Sequence, residues 1–235
     1  MLYTKDYLLE SKIIYYQLEN GYRSGIEPII LAAQAKNNHK NILDLGSGNG
    51  PISLIVAHRF PDSLIHGFEK NLTHLKISQL NKNKNRLKNL KFINQDVTKF
   101  NKKYLGLFDL ILTNPPFFFT NSVIMSKNKS LKDARYINKK KLYLWIENAL
   151  KYLNGNGECY LINRFENLNF MLEILKKLNA EVKVKPILSF RNNSKPKNVL
   201  IMFKNNNFYK EKKLKNLIIH TKTSRYSKKI QSWFK

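Results

Sequence analysis

Asn114-Pro115-Pro116-Phe117 puts a side-chain amide, fixed backbone carbonyls and an aromatic face within four residues. It directly follows Phe108-Asp109-Leu110-Ile111-Leu112-Thr113, a short apolar run that reads as a buried strand. Proline has no N–H to donate to a sheet ladder, and it turns the residue before it away from helix. Two in succession end the strand and hold the next backbone groups rigid. Such a turn is suited to gripping a planar nitrogen, either an amide or a nucleobase amine. The plain alternative is a turn that only terminates a strand.

Asn41 to Gly50 is a strand running into a glycine turn and then a helix, with Asp44, Gly46, Ser47, Gly48 and Gly50 at its chemical positions. Glycines let a backbone bend sharply and approach a ligand closely. The spacing is G-x-G-x-G rather than the dinucleotide G-x-G-x-x-G. Asp44 would repel a pyrophosphate there, and is matched instead to the amino-acid portion of a cationic ligand. Glu69 ends the next strand, where an acid can bind both hydroxyls of a ribose. Asp96, followed by Val97, ends the third, where its carboxylate can accept from an adenine amino group. Each acid alone reads as a surface or capping residue. Three of them at successive strand ends, with the glycine turn and the double proline, converge on the ligand-binding edge of an open α/β sheet.

The elements that must position these groups are read from periodicity. Strands are expected at 41–45, 64–69, 90–94, 108–113, 157–162, 181–185 and 198–203. Helices are expected over 1–20, 27–35, 51–59, 71–82, 139–153 and 167–178. Strand–helix alternation predicts an α/β fold with a mostly parallel seven-stranded sheet, helices on both faces. Three segments follow: a helical N-terminal piece over 1–40, the core over 41–204, and a basic C-terminal tail over 205–235. Phe118 to Lys141 is a long, polar, Lys-rich interruption, of the kind that marks a functional or disordered loop.

The 235 residues are 43% hydrophobic, enough for a full core and too apolar for a disordered chain. No apolar run approaches the ~20 residues needed to cross a bilayer, and the N-terminus lacks a basic-then-apolar leader pattern. The lone Cys159 reads as a small buried hydrophobe. These features set a cytoplasmic, membrane-free expectation. The net charge of +26 points to a polyanionic partner through counterion release. However, 35 of the 42 basic residues are Lys and there are 30 Asn. Both share A-rich codons, so genome composition is a competing source of the charge.

Taken together, the motifs resemble the Rossmann-like S-adenosylmethionine-dependent methyltransferases over roughly residues 20–204. Asp44 to Gly50 is similar to their glycine motif, Glu69 to their ribose acid and Asp96 to their adenine-contacting acid. Asn114 to Phe117 resembles the (N/D)-P-P-(Y/F) motif of members that methylate exocyclic or amide nitrogens. The resemblance implies S-adenosylmethionine as cofactor, bound by Asp44, Gly46, Ser47, Gly48, Gly50, Glu69, Asp96, Val97 and Asn114. It implies catalysis by Asn114, Pro115, Pro116 and Phe117.

Within that class, Gly21 to Ala33, Ala134-Arg135-Tyr136 and Ser194 to Ile201 resemble the bacterial tRNA (adenine-N6)-methyltransferases that modify the adenine beside the valine anticodon. That resemblance implies a monomer with tRNA as partner. Arg23, Lys127, Lys129, Lys132, Arg135, Lys139 and Lys140 are the candidate phosphate contacts, and Lys82 to Lys91 is a second basic run. Phe117 replaces the Tyr common in adenine enzymes and also occurs in rRNA guanine-N2 enzymes, so an rRNA guanine-N2 or adenine-N6 methyltransferase is an alternative. A protein-glutamine methyltransferase would use the same cradle, and a decayed, non-catalytic RNA-binding module is the reading from another class.

Overall fold

Apolar residues alternating between two buried faces give a sheet covered on both sides. The computed structural model describes residues 3–21, 23–119, 136–190 and 195–234. All seven expected strands are present: β3 (Asn41–Leu45), β4 (Leu64–Glu69), β5 (Leu90–Asn94), β6 (Phe108–Thr113), β9 (Leu153–Arg164), β10 (Glu181–Leu188) and β11 (Asn198–Lys204). Two short additions, β12 (Lys210–Lys213) and β13 (Leu217–Ile218), complete a nine-stranded sheet, while β7 (Phe118–Phe119) and β8 (Tyr136–Ile137) pair in parallel apart from it. The order of the large sheet is β12-β10-β11-β9-β6-β3-β4-β5, with β13 also on β10. Every pairing is parallel except the two made by β11.

Chain order reverses at β3, whose neighbours are β4 on one side and β6 on the other. The carboxyl ends of β3 and β6 therefore form a topological switch point, where open α/β sheets leave a crevice. Ile42, Leu110 and Leu112 face a core shared with α1 (Glu27–Ala32) and α2 (Pro51–Arg59). Leu43, Leu45 and Ile111 face the other core, shared with α4 (Lys139–Tyr152) and α5 (Leu168–Lys177). Helix α3 (Leu72–Lys84) connects β4 to β5.

The N-terminus departs from the expected helix. Tyr3–Leu8 (β1) and Ile13–Leu18 (β2) pair antiparallel as a hairpin, closed by Leu9, Glu10 and Ser11 in left-handed backbone. Ile13, Tyr15 and Gln17 are buried while their neighbours are half-exposed, a period of two that suits β-branched and aromatic side chains. The basic C-terminal segment packs on the core. Its strands β12 and β13 extend β10 in parallel, and α6 (Lys228–Gln231) buries Ile230. Arg59 Nη2 donates to the Trp233 carbonyl at 2.7 Å and ties this segment to α2. Lys210–Lys213 is fully exposed and has no apolar pattern, so backbone pairing alone makes it a strand.

Two asparagines dock the hairpin. Asn81 Oδ1 accepts the Tyr16 N–H at 2.7 Å, and its Nδ2 donates to the Tyr16 carbonyl at 3.0 Å. Asn85 does the same for Ile14, at 2.9 and 2.7 Å. Four helical residues rise ~6 Å and two strand residues span ~6.7 Å, so i,i+4 amides on a helix match alternate residues of an antiparallel strand. The exposed edge of β2 is thereby satisfied by side chains of α3.

Candidate active site

The glycine turn after β3 is built by backbone geometry. Gly46, Gly48 and Gly50 have φ of 83°, 57° and 89°, the left-handed region. The Gly46 and Ser47 N–H groups donate to the Phe68 carbonyl at 3.0 and 2.8 Å, which anchors the turn to β4. A Cβ on Gly46 would stand 2.5 Å from the Trp145 ring, whereas one on Gly48 would meet no protein atom within 4 Å. Trp145 is held by its Nε1–H to Thr113 Oγ1 at 2.9 Å, and Thr113 in turn donates to the Leu45 carbonyl at 2.7 Å.

A cavity of about 290 Å³ opens at this switch point. Gly46, Ser47, Gly48, Glu69, Val97, Asn114 and Pro116, all singled out from the sequence, line it. Asp44, Gly50, Asp96, Pro115 and Phe117 sit behind or beside these walls and do not line it. Tyr15, Ser24, His74, Thr98, Lys141 and Trp145 line it without having been expected to. Tyr15 and Ser24 hydrogen-bond to each other at 2.9 Å and belong to the N-terminal segment closing the cavity. Their role has no local signature, because it depends on the docking of the hairpin to α3.

Glu69 is held at both oxygens. The Gly48 N–H donates to Oε2 at 2.9 Å and the Asn71 N–H to Oε1 at 2.7 Å. Asp44 is buried, and its Oδ2 accepts from the Ser53 N–H and hydroxyl at 3.1 and 2.6 Å. Burial pushes its carboxyl up to about 7, with Glu69 adding in the same sense and the Ser53 bonds opposing. Asp96 Oδ1 caps the Thr98 N–H and hydroxyl at 2.9 and 2.7 Å. Burial raises the Asp96 pKa, but the Thr98 bonds and the charges of Lys70 and Lys99 outweigh it and hold the group below its ordinary value.

Asp44 Oδ1, Ser47 Oγ and Asn114 Oδ1 are buried with no hydrogen-bond partner among the described residues. Buried polar atoms are normally paired. Two of these residues, Ser47 and Asn114, line the crevice with the fixed carboxylate of Glu69, and Asp44 lies buried at the end of β3, a set that fits a nucleoside-sized ligand with a cationic amino-acid portion.

The double-proline turn rests on β9 and the residues just after it. Asn163 Nδ2 approaches the Pro115 carbonyl at 3.5 Å, and Asn167 Nδ2 donates to the Phe117 carbonyl at 2.8 Å. Asn167 also donates to Asn163 Oδ1 at 2.7 Å, linking the two supports. The Pro115 carbonyl keeps acceptor capacity, since a carbonyl has two lone pairs.

The candidate phosphate contacts divide. Arg23 forms an ion pair with Asp6 at 2.9 Å and is held on the hairpin. Lys139 and Lys140 open α4 on its exposed side, Lys139 lying over the Phe170 ring at 5.2 Å. Lysines at the positive end of a helix are locally unfavourable, which suits a surface that meets anions. Lys127, Lys129, Lys132 and Arg135 lie outside the described residues. Among the described residues, no helix is long and apolar enough to cross a membrane.

Residues 28–185 match the family model "Methyltransferase small domain". The chain is 36% identical over 141 residues to a Haemophilus influenzae protein named tRNA1(Val) (adenine(37)-N6)-methyltransferase, covering 59% of this chain and 60% of that one. The matched region spans about three-fifths of the length of such curated relatives. A crystal structure of a predicted O-methyltransferase from Agrobacterium tumefaciens superposes with a TM-score of 0.72 at 16% identity, covering 88% of this chain and 95% of that one. Pyrococcus horikoshii TYW2 in complex with MeSAdo gives 0.56 at 16% identity, covering 86% and 69%. At that identity the structures speak for the fold alone.

Proposed function

The chain belongs to the methyltransferase small domain family, and on that premise we propose that it transfers the methyl group of S-adenosylmethionine to N6 of an adenine in tRNA. The adenine beside the valine anticodon is the target, by analogy with the name carried by the Haemophilus influenzae relative. The protein acts as a cytoplasmic monomer with tRNA as its partner, the transfer residing in residues 41–204.

The observation that carries this reading is the buried Asn114 Oδ1 at the cavity wall, without a hydrogen-bond partner among the described residues. An adenine N6 amine is a poor nucleophile, because its lone pair is delocalised into the ring. Asn114 Oδ1 and the Pro115 carbonyl accept its two N–H groups, which favours a pyramidal nitrogen with its lone pair directed away from the turn. Phe117 stacks on the base and keeps it flat. Glu69 takes the ribose hydroxyls, Asp96 and Val97 the adenine, and Gly46 to Gly50 the remainder of S-adenosylmethionine. Asp44 offers a negative charge to its amino group. The cofactor supplies a methyl group on a positively charged sulfur. No strong general base is required, since the amine proton leaves after transfer. Catalysis is then positioning with preorganised acceptors, and positioning alone contributes ~7–11 kcal/mol.

The test is incubation with methyl-labelled cofactor and separate tRNA, rRNA and protein fractions, followed by digestion. Label in N6-methyladenosine from tRNA is expected. Label in rRNA guanine or in protein glutamine would overturn the substrate assignment, and binding of cofactor with no transfer to any fraction would overturn the catalytic one.

A further inference from the structure

Arg164 ends β9 beside the catalytic turn, and its charge has no counterpart among the described residues. Its guanidinium carbon lies 5.6 Å from the ring centre of Phe117 and 5.6 Å from that of Phe118, the two residues after the prolines. Aromatic faces stabilise a cation, but they accept none of its in-plane hydrogen bonds. Nε is buried with no acceptor among the described residues. The ion pairs among those residues are Arg23–Asp6, His39–Glu158, Lys151–Glu147 and Lys204–Glu181, none of which reaches this site. Glu27, which reaches this end of the sheet, instead accepts from Asn198 Nδ2 at 3.1 Å; Asn198 stands opposite Arg164 in the β9–β11 register.

A half-buried guanidinium fixed between two rings, with its donors left over, is preorganised for an external anion. Its planar fork matches the two oxygens of a phosphate better than a lysine point charge does. One of the two rings, Phe117, is the one assigned above to stack on the target base. We propose that Arg164 binds a backbone phosphate flanking the adenine held at Asn114, an assignment that rests on the RNA reading above. A splayed-out nucleotide brings its own phosphates to the pocket mouth, and neutralising one there fixes the base in register.

The experiment uses an RNA stem-loop carrying the target adenine, and a series in which single phosphates around it are replaced by neutral methylphosphonate. Wild-type protein is expected to lose roughly 10- to 100-fold in affinity at one linkage, the range of a charge-assisted hydrogen-bond pair. Arg164→Met, which keeps an apolar stem against the rings, should bind the unmodified loop weaker by the same factor and ignore that linkage. Its log affinity should fall with log salt less steeply, by about 0.7. Arg164→Lys should recover part of the affinity. A purely structural role predicts otherwise: Arg164→Met would lower the melting temperature and cofactor affinity yet stay as sensitive as wild type at every linkage, and that result overturns the assignment. If wild-type protein binds cofactor but no RNA of any kind, the RNA reading falls and takes this site with it.

Discussion

Glu69 Oε2 accepts the backbone N–H of Gly48 at 2.9 Å. The acid ending one strand is thus fastened to the turn that ends its neighbour, so two halves of the candidate cofactor site are fixed as a unit. Gly48 also has open space where a side chain would go, whereas Gly46 abuts Trp145.

That contrast separates two substitutions. Gly48→Ala should cost only the ~1–2 kcal/mol of a left-handed alanine, while its methyl intrudes on the cavity and weakens cofactor binding at least tenfold. Gly46→Ala should cost several times more in stability, because a Cβ 2.5 Å from the Trp145 ring must displace it. Thermal melts alongside calorimetric titration of cofactor check both. Equal melting temperatures for the two variants would contradict the geometry.

Asn114→Ala should reduce turnover by more than a hundredfold, in the range seen when one preorganised group is removed, with cofactor affinity changed only a few-fold. Single-turnover rates and calorimetry separate the two effects. A parallel loss of both would make Asn114 a cofactor ligand and leave the amine without its acceptor.

Asp44 supplies a pH dependence. Its pKa when folded, about 7, lies above the ordinary carboxylate value that it has when unfolded. Between those values the folded state holds the extra proton, so stability declines as pH rises and levels off above about 7. Asp44→Asn should remove this decline and be more stable than wild type at pH 8 by a few kcal/mol, of the order of three pKa units. Denaturant melts at pH 5 and pH 8 test it. A constant difference between the two proteins across that range would show that Asp44 is ionised throughout.

Asn81 joins the hairpin to the glycine turn, since its Nδ2 also donates to the Asn49 carbonyl at 3.0 Å. Asn81→Ala should destabilise by ~2–4 kcal/mol through three lost hydrogen bonds and also weaken cofactor binding. Asn81→Asp should be no better, because a carboxylate cannot donate to the two carbonyls of Tyr16 and Asn49. Hydrogen exchange at the Tyr16 amide would report the docking directly; unchanged protection in Asn81→Ala would refute it.

The seven core strands were legible from residue order alone, with several limits matching to the residue. Their signal is local: an apolar run, a period of two, and a turn residue at the end. The same holds for the glycine and double-proline turns, where the backbone conformation is a property of Gly and Pro themselves. The N-terminal segment misled, because Leu8, Leu9, Ile13, Ile14 and Leu18 satisfy a helical spacing nearly as well as a strand one. Asn81 on α3 and Asn85 at its C-cap settle the matter, about 70 residues away in sequence.

Residue order thus established which groups stand at the strand ends, because strand-end chemistry is written in contiguous motifs. Which of them face one cavity was set by packing. Asp44 gives one oxygen to Ser53 and does not line the cavity, while Tyr15, His74 and Trp145 arrive there from separate elements. Arg164 is the sharpest case: nothing in its neighbourhood of sequence distinguishes it from six other arginines. Its lack of an acid partner among the described residues appears only in the fold, since charge pairing is a property of distances that the linear chain does not contain.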